Sequence, residues 1–160
     1  MIENKLKSIN PKNNILLSSW DVPSLDDIDM LINETAKAQT DWSKIDLISR
    51  LDFVKNLSHI LNERANEFSI LMADEIGKPK KQGKREIRKC ALLCDYYFKN
   101  SEQILNDKHI ETEFHKSFIT YRPIGLILGV MPWNFPFWQV FRFAIPTLIV
   151  GNGILLKHAS

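Results

Sequence analysis

The sequence predicts an α/β protein with a helical first half followed by strands and one βαβ unit, the opening of a doubly wound sheet. Three observations carry this expectation. Apolar residues recur at helical spacing from Ile28 to Tyr97. After Asn106 the texture changes to alternation of polar with aromatic or β-branched residues. Two short apolar runs, 126–130 and 154–156, then flank a helix-like stretch, which gives strand, helix and strand in order. No internal repeat, low-complexity tract or linker divides residues 1–160, so they read as one domain.

Taken in order, Ser24 with Asp26 and Asp27 behind it reads as an N-cap, and Ile28, Leu31, Ile32 and Ala36 follow on one face of a helix that fades near Trp42. Asp46 can cap a second helix carrying Ile48, Leu51, Val54, Leu57 and Leu61. A third runs through Phe68, Leu71 and Met72 and stops at Gly77 and Pro79. Residues 86–101 repeat the pattern with Ile87, Cys90, Cys94 and Tyr97 on one stripe. Residues 111–121 alternate as a half-exposed strand does, and 126–130 reads as a parallel strand buried on both faces. Residues 137–150 form a helix closed by Gly151 before the last apolar run.

Composition sets the class. The chain has 160 residues, 44% hydrophobic and 25% charged, as a soluble globular protein does. A net charge of +2 gives no basis for a nucleic-acid or anionic-membrane surface. The basic stretch 78–89 lacks interleaved aromatics and reads as a solvated helix start. Residues 124–156 are apolar enough to raise the question of a membrane span, but prolines divide them, and Arg142 at a bilayer centre would cost roughly 2.5–3.5 kcal/mol. A buried soluble core is the expectation. The N-terminus lacks the apolar run of a secretory signal, and the two cysteines, four residues apart on one helix face, are poorly placed for a mutual disulfide, which suits a reducing cytoplasm. The four histidines show no metal-ligand spacing with cysteines or carboxylates, so no metal is expected.

The segment Met131-Pro132-Trp133-Asn134-Phe135-Pro136 is the most informative in the chain. With Arg122-Pro123-Ile124-Gly125 before it, Gly151-Asn152 and Leu156-Lys157 after it, and Glu75-Ile76-Gly77-Lys78-Pro79 and Ile9-Asn10-Pro11 upstream, it resembles the aldehyde dehydrogenase superfamily. Phe137-Trp138-Gln139-Val140-Phe141-Arg142 and Lys157-His158-Ala159-Ser160 look most like its succinate-semialdehyde dehydrogenase branch. The resemblance covers nearly the whole chain and implies the N-terminal part of a Rossmann-like, NAD- or NADP-binding domain. It implies oxidation of an aldehyde to an acid through a cysteine thioester. The family's nucleophilic cysteine, its glutamate base and its Gly-rich pyrophosphate turn lie in segments this sequence does not contain.

By the same resemblance, Asn134 supplies an amide N–H to the oxyanion, a type of donor whose loss costs about 10²–10³ in rate. Such an Asn could instead fix a Pro-rich turn by bonding its own backbone. Met131, Pro132 and Trp133 resemble the cofactor cleft, with core packing as the ordinary alternative for Met131 and Trp133. Lys157 resembles the lysine that bonds the adenosine ribose, and Ala159 and Ser160 follow it along the same cofactor edge. Lys157 also lies where α/β sheets bind ligands, although a lone lysine at a strand end is usually only solvated. His158 replaces the usual proline, and Ser160 replaces a frequent glutamate whose carboxylate would repel a 2′-phosphate, so Ser160 leaves room for NADP beside NAD. Arg142 matches the position that grips the distal carboxylate of succinate semialdehyde, and a surface or ion-paired arginine is its other reading. Cys90 and Cys94 read as buried structural residues, not substitute nucleophiles.

Two functions follow as expectations. One is the N-terminal part of an NAD(P)-dependent dehydrogenase acting on a small aldehyde, from a family of homo-oligomers, with 111–121 in the oligomerisation sheet. The other is a catalytically inactive remnant or interaction fragment that needs a companion chain to cover its sheet edge.

Overall fold

A computed structural model describes residues 5–159. Its N-terminal hairpin pairs β1 (Lys5–Ile9) antiparallel to β2 (Leu16–Asp21), a second strand that the sequence pattern did not reveal. Four helices follow: α1 (Leu25–Lys44), α2 (Leu47–Glu63), α3 (Ala65–Ile76) and α4 (Lys80–Leu105). Local chemistry sets their ends. Ser24 and Asp27 form a reciprocal capping box, with each side chain accepting from the other's backbone N–H. Asp46 accepts from the Ser49 N–H at the start of α2. Gly77 closes α3 in the left-handed region at φ 67°, and the N–H groups of Gly77 and Lys78 return to the carbonyls of Ala73 and Met72. That turn aims Lys78 back across the helical layer instead of onward along α3.

The core lies where α2, α3, α4 and the last helix meet, around Leu51, Leu61, Met72, Ile87, Cys90 and Cys94. The helical stripe on α1 is not part of it: Ile28, Leu31 and Ile32 are exposed, and no residue of α1 is buried. Only the C-terminal half of α1 is tied in, through Gln39 and Trp42.

The βαβ unit is present as expected: β5 (Leu126–Val130), α5 (Pro136–Ile149) and β6 (Gly153–Lys157), with β5 and β6 parallel and in register from Leu126↔Gly153 to Val130↔Lys157. Asn152, buried behind α5, accepts through Oδ1 from the N–H groups of Ile124 and Gly125 and so fixes the entry to β5.

Three expectations are corrected. Residues 111–121 do not form a continuous strand; only β3 (Lys108–His109) and β4 (Phe118–Ile119) pair, because alternation supplies a suitable surface but no partner along the intervening residues. The strand 126–130 is not buried on both faces, since Leu128 and Val130 are 64% and 67% exposed and only Gly129 is buried. The basic stretch 78–89 is not uniformly solvated, since α4 begins at Lys80 and both Lys78 and Glu86 are buried. No described helix is long and apolar enough to cross a membrane.

Gly129 marks the closest approach of α5 to the sheet. A Cβ there would lie 2.5 Å from the Phe143 ring. Gly129→Ala is therefore expected to lower unfolding free energy by about 1–3 kcal/mol, seen as a shifted urea midpoint at unchanged slope.

Candidate active site

The site forms where the carboxyl ends of β5 and β6 meet the N-terminus of α5. This is the edge at which ligands bind in sheets of this kind. The two strands stay paired to their ends, where the Met131 N–H donates to the Lys157 carbonyl at 3.0 Å. Met131 and Lys157 are thereby neighbours. The Lys157 side chain is exposed and has no ion pair among the described residues, which suits hydrogen bonding to ligand hydroxyls. Trp133 is 61% exposed, so core packing does not account for it, whereas Met131 is half-buried and its methyl group lies beside Gly129. Pro132 is exposed, and Ala159, half-buried, follows the strand end. Ser160 lies outside the described residues.

Asn134 sits two residues before α5 on the connecting turn. Among the described residues its side chain makes no hydrogen bond, so the bond to its own backbone that would merely fix the turn is not formed. Its backbone carbonyl accepts from Lys78 Nζ at 3.0 Å. That ammonium also lies 3.9 Å above the Phe135 ring and forms a buried ion pair with Glu86. The other oxygen of Glu86 accepts from the N–H groups of Phe137 and Trp138, both at 3.0 Å. These are first-turn donors with no partner inside the helix, and α5 has no local side-chain cap. A carboxylate at a helix N-terminus is also favoured by the helix dipole. Glu86 therefore caps α5 from α4.

Neither Lys78 nor Glu86 was singled out from sequence as a site residue, Lys78 entering only within the motif at 75–79. The signal available was a single acidic residue inside the basic run 78–89, placed one residue before the apolar stripe. Lys78, Glu86, Phe135 and Trp138 line an open cleft of ≈ 240 Å³, with Lys89 lying 3.7 Å over the Trp138 ring. Arg142 is exposed on α5, two turns beyond Asn134, and makes no ion pair among the described residues, so the ion-paired reading fails for it.

The opposite end of α5 is held by α1 and α2. Buried Arg50 donates through Nε to the Ile149 carbonyl at 3.0 Å and through a second nitrogen to the Ile45 carbonyl. Trp42 Nε1 donates to the Leu148 carbonyl at 2.8 Å, and Gln39 Nε2 to the Gly151 carbonyl at 2.9 Å. Burial pulls the Arg50 pKa down, opposed by the nearby Asp46 charge.

Cys90 and Cys94 are free, buried and on the core stripe, as expected. Burial pushes both thiols up to about 12, helped by the charges of Glu86 on Cys90 and Asp95 on Cys94. Among the described residues no group of three or more His, Cys, Asp or Glu could hold a metal.

Residues 2–160 match the family model described as the aldehyde dehydrogenase family. A probable NADP(+) succinate-semialdehyde dehydrogenase of Synechocystis sp. is 38% identical over 155 residues, spanning 97% of this chain and 34% of that protein. The NAD(P)+ succinate semialdehyde dehydrogenase Sad of Escherichia coli is 38% identical over 152 residues, spanning 95% and 33%. The crystal structure of succinic semialdehyde dehydrogenase from Streptococcus pyogenes, in complex with NADP+, superposes with a TM-score of 0.90 at 28% identity, covering 96% of this chain and 34% of that one. The chain thus spans about a third of the length of the curated relatives it matches.

The thiols give a test independent of these likenesses. Their folded pKa lies above the unfolded value of 9.0, so they favour folding below pH 9, and that contribution falls away as pH rises from 9 toward 12. At pH 8 the folded chain is expected to resist thiol alkylation by iodoacetamide, with both cysteines reacting once urea unfolds it.

Proposed function

Because the chain belongs to the aldehyde dehydrogenase family, we propose that it supplies the oxyanion donor and part of the cofactor edge of an NAD(P)-dependent dehydrogenase that oxidises succinate semialdehyde to its acid. Residues 1–160 are then part of its cofactor-binding domain, acting in a soluble homo-oligomer. The observation that carries this reading is the Asn134 side chain, which has no hydrogen-bond partner among the described residues, just ahead of α5 and beside the carboxyl ends of two parallel strands.

In this proposal the Asn134 amide donates to the oxygen that gains charge when a thiolate attacks the aldehyde carbon. A donor held in place beforehand needs no rearrangement at that moment. Lys157 bonds ribose hydroxyls, while Met131, Pro132, Trp133, Ala159 and Ser160 form the adjoining wall. NAD or NADP, when bound, accepts a hydride from the substrate. Support for this edge comes from the exposed Lys157 ammonium at a strand end and the exposed Trp133 beside it. Support for the substrate comes from the two similar succinate-semialdehyde dehydrogenases and from Arg142, a cation on an apolar helix with no ion-pair partner among the described residues. A guanidinium there can grip a distal carboxylate bidentately.

A second reading, a fragment that joins another chain, is supported by the exposed apolar residues Ile124, Leu128 and Val130 along and before β5.

A hybrid subunit, with residues 1–160 followed by the corresponding remainder of the E. coli relative, tests the first reading. Asn134→Ala should lower kcat about 10²–10³-fold with folding intact. Arg142→Ala should weaken kcat/KM for succinate semialdehyde roughly 10–100-fold more than for butyraldehyde. Both NAD+ and NADP+ should be reduced, and strict NAD+ selectivity would count against the role given to Ser160. A folded hybrid indifferent to Asn134→Ala would remove the catalytic reading.

A further inference from the structure

The geometry points to Glu86 and Lys78 as a positioning pair for Asn134, a role that rests on the oxyanion reading above. The two side chains are among the most enclosed charges in the chain, at 2% and 8% exposed. Lys78 lies in the break between α3 and α4 and Glu86 in the second turn of α4, and both converge on the same turn. Glu86 takes the N–H groups of Phe137 and Trp138, which fixes where α5 starts. Lys78 takes the Asn134 carbonyl, which fixes the peptide plane carrying the preceding side chain. The ion pair between them joins the two fixings into one unit.

This arrangement meets a constraint. Phe135, at the N-cap of α5, has no side-chain acceptor for the first-turn N–H groups, and Asn134 lies one residue earlier. Here the cap is supplied from α4, and the Asn134 amide remains available. The Phe135 ring lies against the Lys78 ammonium and closes one side of the unit. Removing either charge leaves the other buried without its partner, which is more costly than never having had the pair. The pair holds the turn in one geometry; neither member touches the reacting atoms in this proposal.

Nuclear magnetic resonance of the chain, labelled with 13C and 15N, reads this without turnover, so its outcome is separable from that of the dehydrogenase reading. Lys78→Met is expected to shift the Asn134 carbonyl 13C resonance upfield, and Lys78→Arg to restore it in part. Glu86→Gln is expected to speed amide exchange at Phe137 and Trp138 about tenfold or more, while amides in α2 and α3 keep their rates. Should Lys78→Met fail to fold, the Lys78→Arg and Glu86→Gln spectra decide alone. The proposal is overturned by an Asn134 carbonyl indifferent to position 78. It is equally overturned by exchange that rises alike throughout the helices, or by wild-type Phe137 and Trp138 amides that exchange as fast as open peptide.

Discussion

Helix α5 is held at each end by side chains of complementary character reaching over from the helical half of the chain, and the rest of the structure depends on this. Glu86 meets the exposed N–H groups at its start, and Arg50, Trp42 and Gln39 meet the carbonyls at and just beyond its close. Each charge sits at the pole of the helix dipole that favours it, an effect worth up to about 2 kcal/mol in partly buried settings. The consequence is positional as much as energetic. α5 carries no charge in its first or last turn, so its placement against the core is set from α1, α2 and α4. The strands β5 and β6 hang from its two ends, and the turn bearing Asn134 is one of those ends.

The packing shows why both poles are needed. A two-stranded parallel sheet is marginal by itself, and here one face of it is open, with Leu128 and Val130 exposed. Its position comes from Gly129 against Phe143, from Asn152 bonded to the entry of β5, and from the capped helix between the strands. The apolar face of α1 is open as well. The buried core is confined to α2–α5, and the candidate site lies at its margin, where two strand ends and one helix end are held by hydrogen bonds while the neighbouring surface is open.

Much of this was legible in the sequence because it is written locally. Ser24, Asp46 and Gly77 act within four residues of themselves, and the strand, helix and strand after Leu126 announce themselves by period and by Gly151. The adjacency of Met131 and Lys157 follows from parallel pairing alone. What was not legible is non-local. Glu86 serves amides some fifty residues away, Lys78 a carbonyl at similar separation, and Arg50 a carbonyl at nearly twice that. Inside a run of lysines and arginines, a buried pair looks like solvated surface. The alternation at 111–121 misled for the opposite reason: the pattern fits a strand, but a strand needs a partner, and pairing ends after two residues on each side. Exposure of β5 was likewise invisible, since an apolar run states what could be buried and not what covers it.

The dependence on α5's ends is most directly tested at the pole far from the candidate chemistry. Urea unfolding of Arg50→Met should show a loss of roughly 3 kcal/mol, the size expected when two carbonyls lose a charged donor in a buried setting. Lys44→Met, which removes a surface ion pair with Asp41, should leave the midpoint unmoved. If the two variants unfold alike, the helix is held by apolar packing alone, and its charged anchors do not set the site.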